Sequence, residues 1–358
     1  MGCAMAIDTN VFLLASEDVN CARLALGSKT RRRATTIHSQ YSLAAVHPPR
    51  ALARGTTGEN KMKTQSDSAS GSTPSFRNPL EYNAEYILIR GGTIKYSVTK
   101  KTEKVPDIYF AKYPVTNKLY RRFIRYLQDD ERDLGEINPP LAFAEKLLEF
   151  AARDKAYVDY LGRDTKDWPE KLKSKQDEDR KLNGEDQPVV GVSWYASRAY
   201  CFWLSEMGRA GGEGQRAEGK TQNPEMSYRL PTEVEWERAA AGRLEDGPAR
   251  EYPWPIEKGE PNENLANYYR WSVRQTTPVS RYPDGATPEG LMDMAGNVWE
   301  WQENRFENKE CPEARALRSS SWRGTAEDLR CVARGGGRPV DLWDFDGFRV
   351  VFGQSSNG

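Results

Sequence analysis

GLMDMAGNVWEW, residues 290 to 301, sets two glycines and two carboxylates among large apolar side chains within twelve positions. Neither the spacing of a plain helix nor the alternation of a clean strand accommodates it, so it reads as a sharp buried loop. Gly290 and Gly296 supply backbone freedom where a side chain would clash, and Asn297 suits a turn beside Gly296. Trp299 and Trp301, two apart, project to one side of an extended segment.

Working outward, Arg229 to Glu237 (RLPTEVEWE) carries a T-x-x-E capping box in Thr232 and Glu235, with Gly242 placed to stop the helix. Glu233, Glu235 and Glu237 are best read as caps and solvated groups rather than an acid-base cluster, because residues two apart on a helix do not face each other. Upstream, Ser193 caps a helix bearing Ala196, Ala199, Tyr200 and Trp203. Thr116 caps one bearing Leu119, Tyr120, Phe123, Ile124 and Leu127. Tyr86 to Ile89 and Ile108 to Ala111 read as short strands. Prolines at 253, 255, 278, 283 and 288 keep the later chain irregular. The pattern predicts a loop-rich α+β fold with two main helices against small antiparallel sheets.

The segment 1–78 mixes small, polar and basic residues without a period and reads as a disordered leader, ahead of a domain over 79–353. Met1-Gly2-Cys3 hints at acylation, but Ala6 replaces the Ser or Thr that myristoylation wants. The run Val11 to Ala15 is too short for a signal-peptide core, and Met62 is an alternative start. Residues 129–186 read as a helical insertion, with Leu141, Ala144, Leu147, Leu148 and Ala151 on one face; covering the core is the favoured reading, and shaping a ligand site is the alternative.

The formal net charge is zero, so the overall balance announces neither a nucleic-acid partner nor a membrane surface, and no apolar run approaches a membrane span. Five cysteines without CxxC spacing suggest reduced thiols and a cytoplasmic location. The two histidines, His38 and His47, fall in the leader. The domain then has no imidazole for a nucleophile-histidine pair or a histidine-bound metal.

GNVWEW, RLPTEVEWE and the closing Gly347-Phe348-Arg349 together resemble the formylglycine-generating-enzyme (sulfatase-modifying-factor) family, a branch of the C-type lectin fold. In that family activity depends on two cysteines just after an RGGS-aromatic motif. The matching passage here is Arg318-Ser319-Ser320-Ser321-Trp322, and Arg323 to Arg330 contain no cysteine; Cys331 falls outside the pair. The resemblance therefore implies a protein without that enzymatic activity. The related iron sulfoxide synthases need three histidines, which the domain lacks. The same resemblance implies a calcium site from Asp293, Glu300 and the carbonyls of Gly296 and Val298, although a loop satisfied by its own hydrogen bonds reads equally well. No other cofactor is expected.

The passage Ala316 to Val351 also resembles the variable region of proteins diversified by retroelements, which carry a rewritten segment ending in GFR on this scaffold. Trp322, Leu329-Arg330, Arg334, Pro339 and Gly347-Phe348-Arg349 fall in the family register. The diversified, ligand-binding positions would be Arg323, Gly324, Thr325, Asp328, Ala333, Gly335, Gly337, Arg338, Asp341, Trp343, Asp344 and Phe345. None is Asn, and all but Trp343 are reachable by changing adenines in an asparagine codon. Exposed Trp, Phe and Arg are the types that dominate interface hot spots; the alternative is that Trp343 and Phe345 alternate into the core. The expected function is non-catalytic binding of a protein or other macromolecule through this region. The competing readings are a formylglycine-type oxidase with an atypical site and a structural module contacting partners through 129–186.

Overall fold

Short strands, apolar in runs at β3 (Ala84–Ile89) and β6 (Ile108–Ala111), build the first sheet. The computed structural model describes residues 11–13, 73–128, 140–210, 226–270 and 273–354. One five-stranded sheet is antiparallel throughout, in the order β2-β3-β6-β12-β7: β2 (Ser75–Asn78), β3 (Ala84–Ile89), β6 (Ile108–Ala111), β12 (Val351–Gln354) and β7 (Met226–Arg229). The last strand of the chain thus lies inside the sheet begun by the first strands of the domain.

The second sheet has the order β1-β10-β9-β8-β11, from β1 (Val11–Leu13), β8 (Trp299–Arg305), β9 (Arg315–Arg318), β10 (Arg334–Gly337) and β11 (Asp346–Gly347). Its inner pairs are antiparallel, while β1 on β10 and β11 on β8 run parallel. A hairpin, β4 (Gly92–Lys95) with β5 (Thr102–Val105), stands apart.

Two boundaries of the leader need correction. β2 pairs with β3 from Ser75 onward, so the domain's sheet begins inside 1–78, and Val11–Leu13 is a strand rather than disordered chain. The acylation and Met62 readings lie outside the described residues.

Six α-helices are described, α1 (Asn117–Leu127), α2 (Pro140–Ala151), α3 (Lys155–Leu161), α4 (Trp168–Leu172), α5 (Trp194–Ala210) and α6 (Glu233–Ala241). The caps sit as their side chains require: Thr116 accepts from the Leu119 amide, Ser193 from the Ala196 amide, and Thr232 and Glu235 form the reciprocal box. α1 and α5 bury an aromatic core in which Phe123, Tyr200, Trp203 and Phe348 meet edge-on or tilted at centroid distances of 5.4 to 5.8 Å. Within 129–186, α2 sends Ala144, Leu147 and Ala151 into the same core; residues 129–139 and the Leu141 side chain lie outside the description. Among the described residues no helix is long and apolar enough to cross a membrane.

Candidate functional site

The GNVWEW loop is a junction of buried hydrogen bonds. Asp293 and Asn297 take positive φ, 53° and 67°, as do Gly290 and Gly296. At Gly296 a Cβ would lie 2.5 Å from the Asn267 carbonyl oxygen, so only glycine fits. The Asn297 side chain accepts from the Thr277 amide (2.9 Å) and from Asn267 Nδ2 (3.2 Å), and donates to the Thr277 carbonyl and Asp293 Oδ2 (both 3.0 Å). One asparagine therefore fixes three segments. Burial, only partly offset by Asn297 and Arg349, pushes the Asp293 carboxyl up to about 7.

Glu300 and Arg349, both wholly buried, form the second junction. Arg349 donates to both Glu300 oxygens, with Nη2 to Oε1 at 2.7 Å, and to the carbonyls of Ala111, Lys112, Met292 and Asp293. Trp236 Nε1 donates to Glu300 Oε2 at 2.7 Å. The Gly296 carbonyl accepts from the Val298 amide and from Ser319 Oγ. Of the four residues expected to ligate calcium, two are engaged within the protein, as the alternative of a self-satisfied loop has it: a guanidinium holds the Glu300 carboxylate, and protein donors hold the Gly296 oxygen. Among the described residues no three His, Cys, Asp or Glu side chains gather into a metal ligand set.

Glu235 closes the capping box as expected, but none of the α6 glutamates is solvated. Glu233, Glu235 and Glu237 are all buried. Residues i and i+4 do share a face, and Glu233 and Glu237 both grip the buried Arg318, at 2.9 and 3.0 Å. Glu233 also pairs with Arg334 at 2.6 Å, and Glu235 with Arg229 at 2.7 Å. The Arg318 and Arg334 pairs hold α6 against β9 and β10. Arg318 was readable only as a motif residue; its two acidic partners lie more than eighty positions away.

The junctions carry the C-terminal loops. The Asn297 carbonyl accepts from the Trp322 amide, Trp299 donates its amide to the Phe345 carbonyl, and Tyr269 donates its amide to the Gly324 carbonyl. Of the twelve expected binding residues, Arg323 and Thr325 are exposed or nearly so, and Gly324, Ala333, Arg338, Trp343 and Asp344 are in the main half-buried. Asp328, Gly335, Gly337, Asp341 and Phe345 are buried. Asp328 caps the turn at Thr325, Asp341 holds Arg338, and at Gly337 a Cβ would lie 2.8 Å from Trp301. A cluster forms around the exposed Arg323: its guanidinium lies 4.4 Å over the Trp322 ring and 5.4 Å over that of Phe345, and it pairs with Asp344. Trp343 stacks on Phe345 at 5.9 Å with an interplanar angle of 8°. Trp343 and Phe345 thus share one side, with Phe345 closing the core and Trp343 half open.

The thiol expected outside the catalytic pair, Cys331, is buried, and burial raises its pKa. Known relatives change the meaning of the missing cysteine pair. The chain is 30% identical over 260 residues to inactive C-alpha-formylglycine-generating enzyme 2 of Bos taurus, covering 67% of this chain and 75% of that protein. It is also 32% identical over 182 residues to hercynine oxygenase of Mycobacterium tuberculosis, covering 47% of this chain and 37% of that protein. It spans 24% of the length of the serine/threonine-protein kinase pkn1 of Chlamydia caviae, to which it is 32% identical over 181 residues, 46% of this chain. Relatives named for catalysis stand beside an inactive one, so the expectation that the chain is not an enzyme is overturned: the proteins it resembles include both kinds.

Among solved structures, PvdO from Pseudomonas aeruginosa aligns over 79% of this chain and 99% of its own, at a TM-score of 0.50 and 20% identity. Treponema denticola variable protein 1 aligns over the same shares at 0.45 and 18%. The model of the sulfatase-modifying factor enzyme 1-like domain matches residues 72–353. With its C-type lectin-like α+β fold, the chain belongs to the sulfatase-modifying factor (formylglycine-generating enzyme) family.

Proposed function

We propose that this chain binds a macromolecular ligand, a protein foremost, through the C-terminal face around Arg323, Thr325, Arg338, Trp343 and Asp344, and that retroelement mutagenesis diversifies this face. One observation carries the reading: an arginine and three aromatic rings, Arg323, Trp322, Trp343 and Phe345, pack together where half of the Arg323 side chain remains open to solvent. Preassembled Arg and Trp groups lose little freedom on binding and form strong anchors. The loops that bear them hang on Asn297 and Trp299 through backbone atoms, so their side chains can change without cutting those bonds.

The test is the DNA around the gene. A near-copy of the codons for Ser319 to Gly347 beside a reverse transcriptase, differing where the copy has adenine, supports the reading. A genome without such a copy overturns the diversified part. If Arg323→Glu leaves binding to every ligand recovered for the native protein unchanged, the face itself is wrong.

A further inference from the structure

Asp346 opens the two-residue strand β11, which runs parallel to β8 with Asp346 beside Trp299 and Gly347 beside Glu300. Its side chain is fully buried, and neither carboxylate oxygen has a hydrogen-bond partner. The charges around it are of the wrong sign. Asp341 and Asp344, from the preceding loop, both act on it, and each is already held by an arginine, Arg338 and Arg323 respectively. From β8 the nearby acid is Glu300, closed on Arg349. Among the described residues, the charged groups acting on Asp346 include no cation, and the three aspartates do not form a metal ligand set.

A buried carboxylate with neither donor nor counter-ion does not stay ionised; it takes a proton. We propose that Asp346 is a proton-operated latch beneath the 338–346 loop: with the neutral acid the loop closes on β8, and with the ionised acid the loop opens and the Trp343–Phe345 face loses its support. The latch regulates the face assigned above and rests on that reading for its biological meaning.

Burial first, then Asp341 and Asp344, raise the pKa of Asp346 well above the usual aspartate value. The sign of the effect is fixed by that shift. The open loop restores an ordinary aspartate, titrating near about 4, while the closed loop keeps its proton to higher pH. Between those two values closure therefore weakens as pH rises, and the opening constant grows about tenfold per pH unit.

The experiment is amide hydrogen exchange on the free, full-length protein between about pH 4 and 8, read at Gly191 and Trp299. Their N–H groups donate to the carbonyls of Trp343 and Phe345. Asp346→Asn is the reference at each pH, since it cancels intrinsic exchange and cannot titrate. The expected ratio of wild-type to variant opening rises about tenfold per pH unit above about pH 4, and a flat ratio overturns the latch. A ratio that follows added calcium instead of pH also overturns it. Should Asp346→Asn not fold, the carboxyl carbon of Asp346, followed by NMR in the wild type, decides: a titration midpoint near about 4 refutes the proposal, and a carboxyl still protonated well above it sustains it. Because no ligand is used, failure here leaves the binding face standing, and failure of the binding face leaves the latch measurable.

Discussion

Replacing Arg349 by methionine removes the cation that joins the GNVWEW loop to the central sheet. Methionine keeps much of the volume, so the loss is electrostatic. Glu300, with no exposed surface, would keep only the Trp236 N–H. Breaking a buried pair by removing one partner costs about 3–5 kcal/mol, because the other charge is left uncompensated. The Ala111 and Met292 carbonyls would also lose their Arg349 donor, at roughly 1 kcal/mol each where water cannot replace it, while the Lys112 carbonyl keeps the Met292 amide and the Asp293 carbonyl keeps Ser319 Oγ. Against a total stability of about 5–15 kcal/mol, Arg349→Met is then at the edge of folding. Urea unfolding followed by tryptophan fluorescence is the assay. With a slope of about 3 kcal/mol per molar, a loss of about 4 kcal/mol moves the midpoint down by more than about 1 M. The double variant Glu300→Leu/Arg349→Met removes both charges and should be more stable than Arg349→Met alone. A single variant that loses under about 1 kcal/mol, or a double variant no better than the single one, would show that the buried pair is not what anchors the loop.

Three further outcomes rest on the same geometry. Arg323→Ala should leave the melting temperature nearly unchanged, because its pair with Asp344 is half-exposed and worth at most about 1 kcal/mol; a large drop would place Arg323 in the scaffold instead of the binding face. Gly337→Ala presses a methyl against Trp301 at 2.8 Å and should cost about 1–3 kcal/mol in a urea titration; a neutral result would mean that Trp301 shifts freely and that position 337 can vary. Asp293, raised to about 7, binds its proton in the folded state above the pH where the unfolded chain releases it, so stability falls as pH rises from about 4 to 7. The full effect is about 4 kcal/mol, and Asp293→Asn should flatten that part of the stability–pH curve.

Local chemistry made much of the fold legible. Thr116, Ser193 and the Thr232–Glu235 box are signals confined to four residues, and each caps the helix it announces. GNVWEW is similarly self-declaring, because glycine and asparagine at positive φ carry their reason with them. Long-range pairing was not legible. Glu233 and Glu237 read as solvated because their spacing names no buried partner, whereas Arg318 reaches both from across the sheet. The same blindness left Glu300 open between a metal ligand and a satisfied loop: its carboxylate does need a cation, and Arg349, forty-nine positions on, supplies one.

Asp346 is the sharpest case. In DLWDFD the three acids look alike, and alternation alone assigns them no separate roles. Pairing separates them: Arg338 takes Asp341, Arg323 takes Asp344, and Asp346 enters β11 with nothing to neutralise it. The partners of the first two belong to the set of positions expected to vary. If Arg323 or Arg338 is rewritten, Asp344 or Asp341 loses its counter-ion within reach of Asp346, and the acid beneath the loop feels more negative charge. Diversifying the face would then also retune the proton affinity of the residue that holds it closed: an Arg338→Ser variant should leave the onset of opening near about pH 4 and extend its tenfold-per-unit rise to higher pH, as the same amide exchange at Gly191 and Trp299 would read.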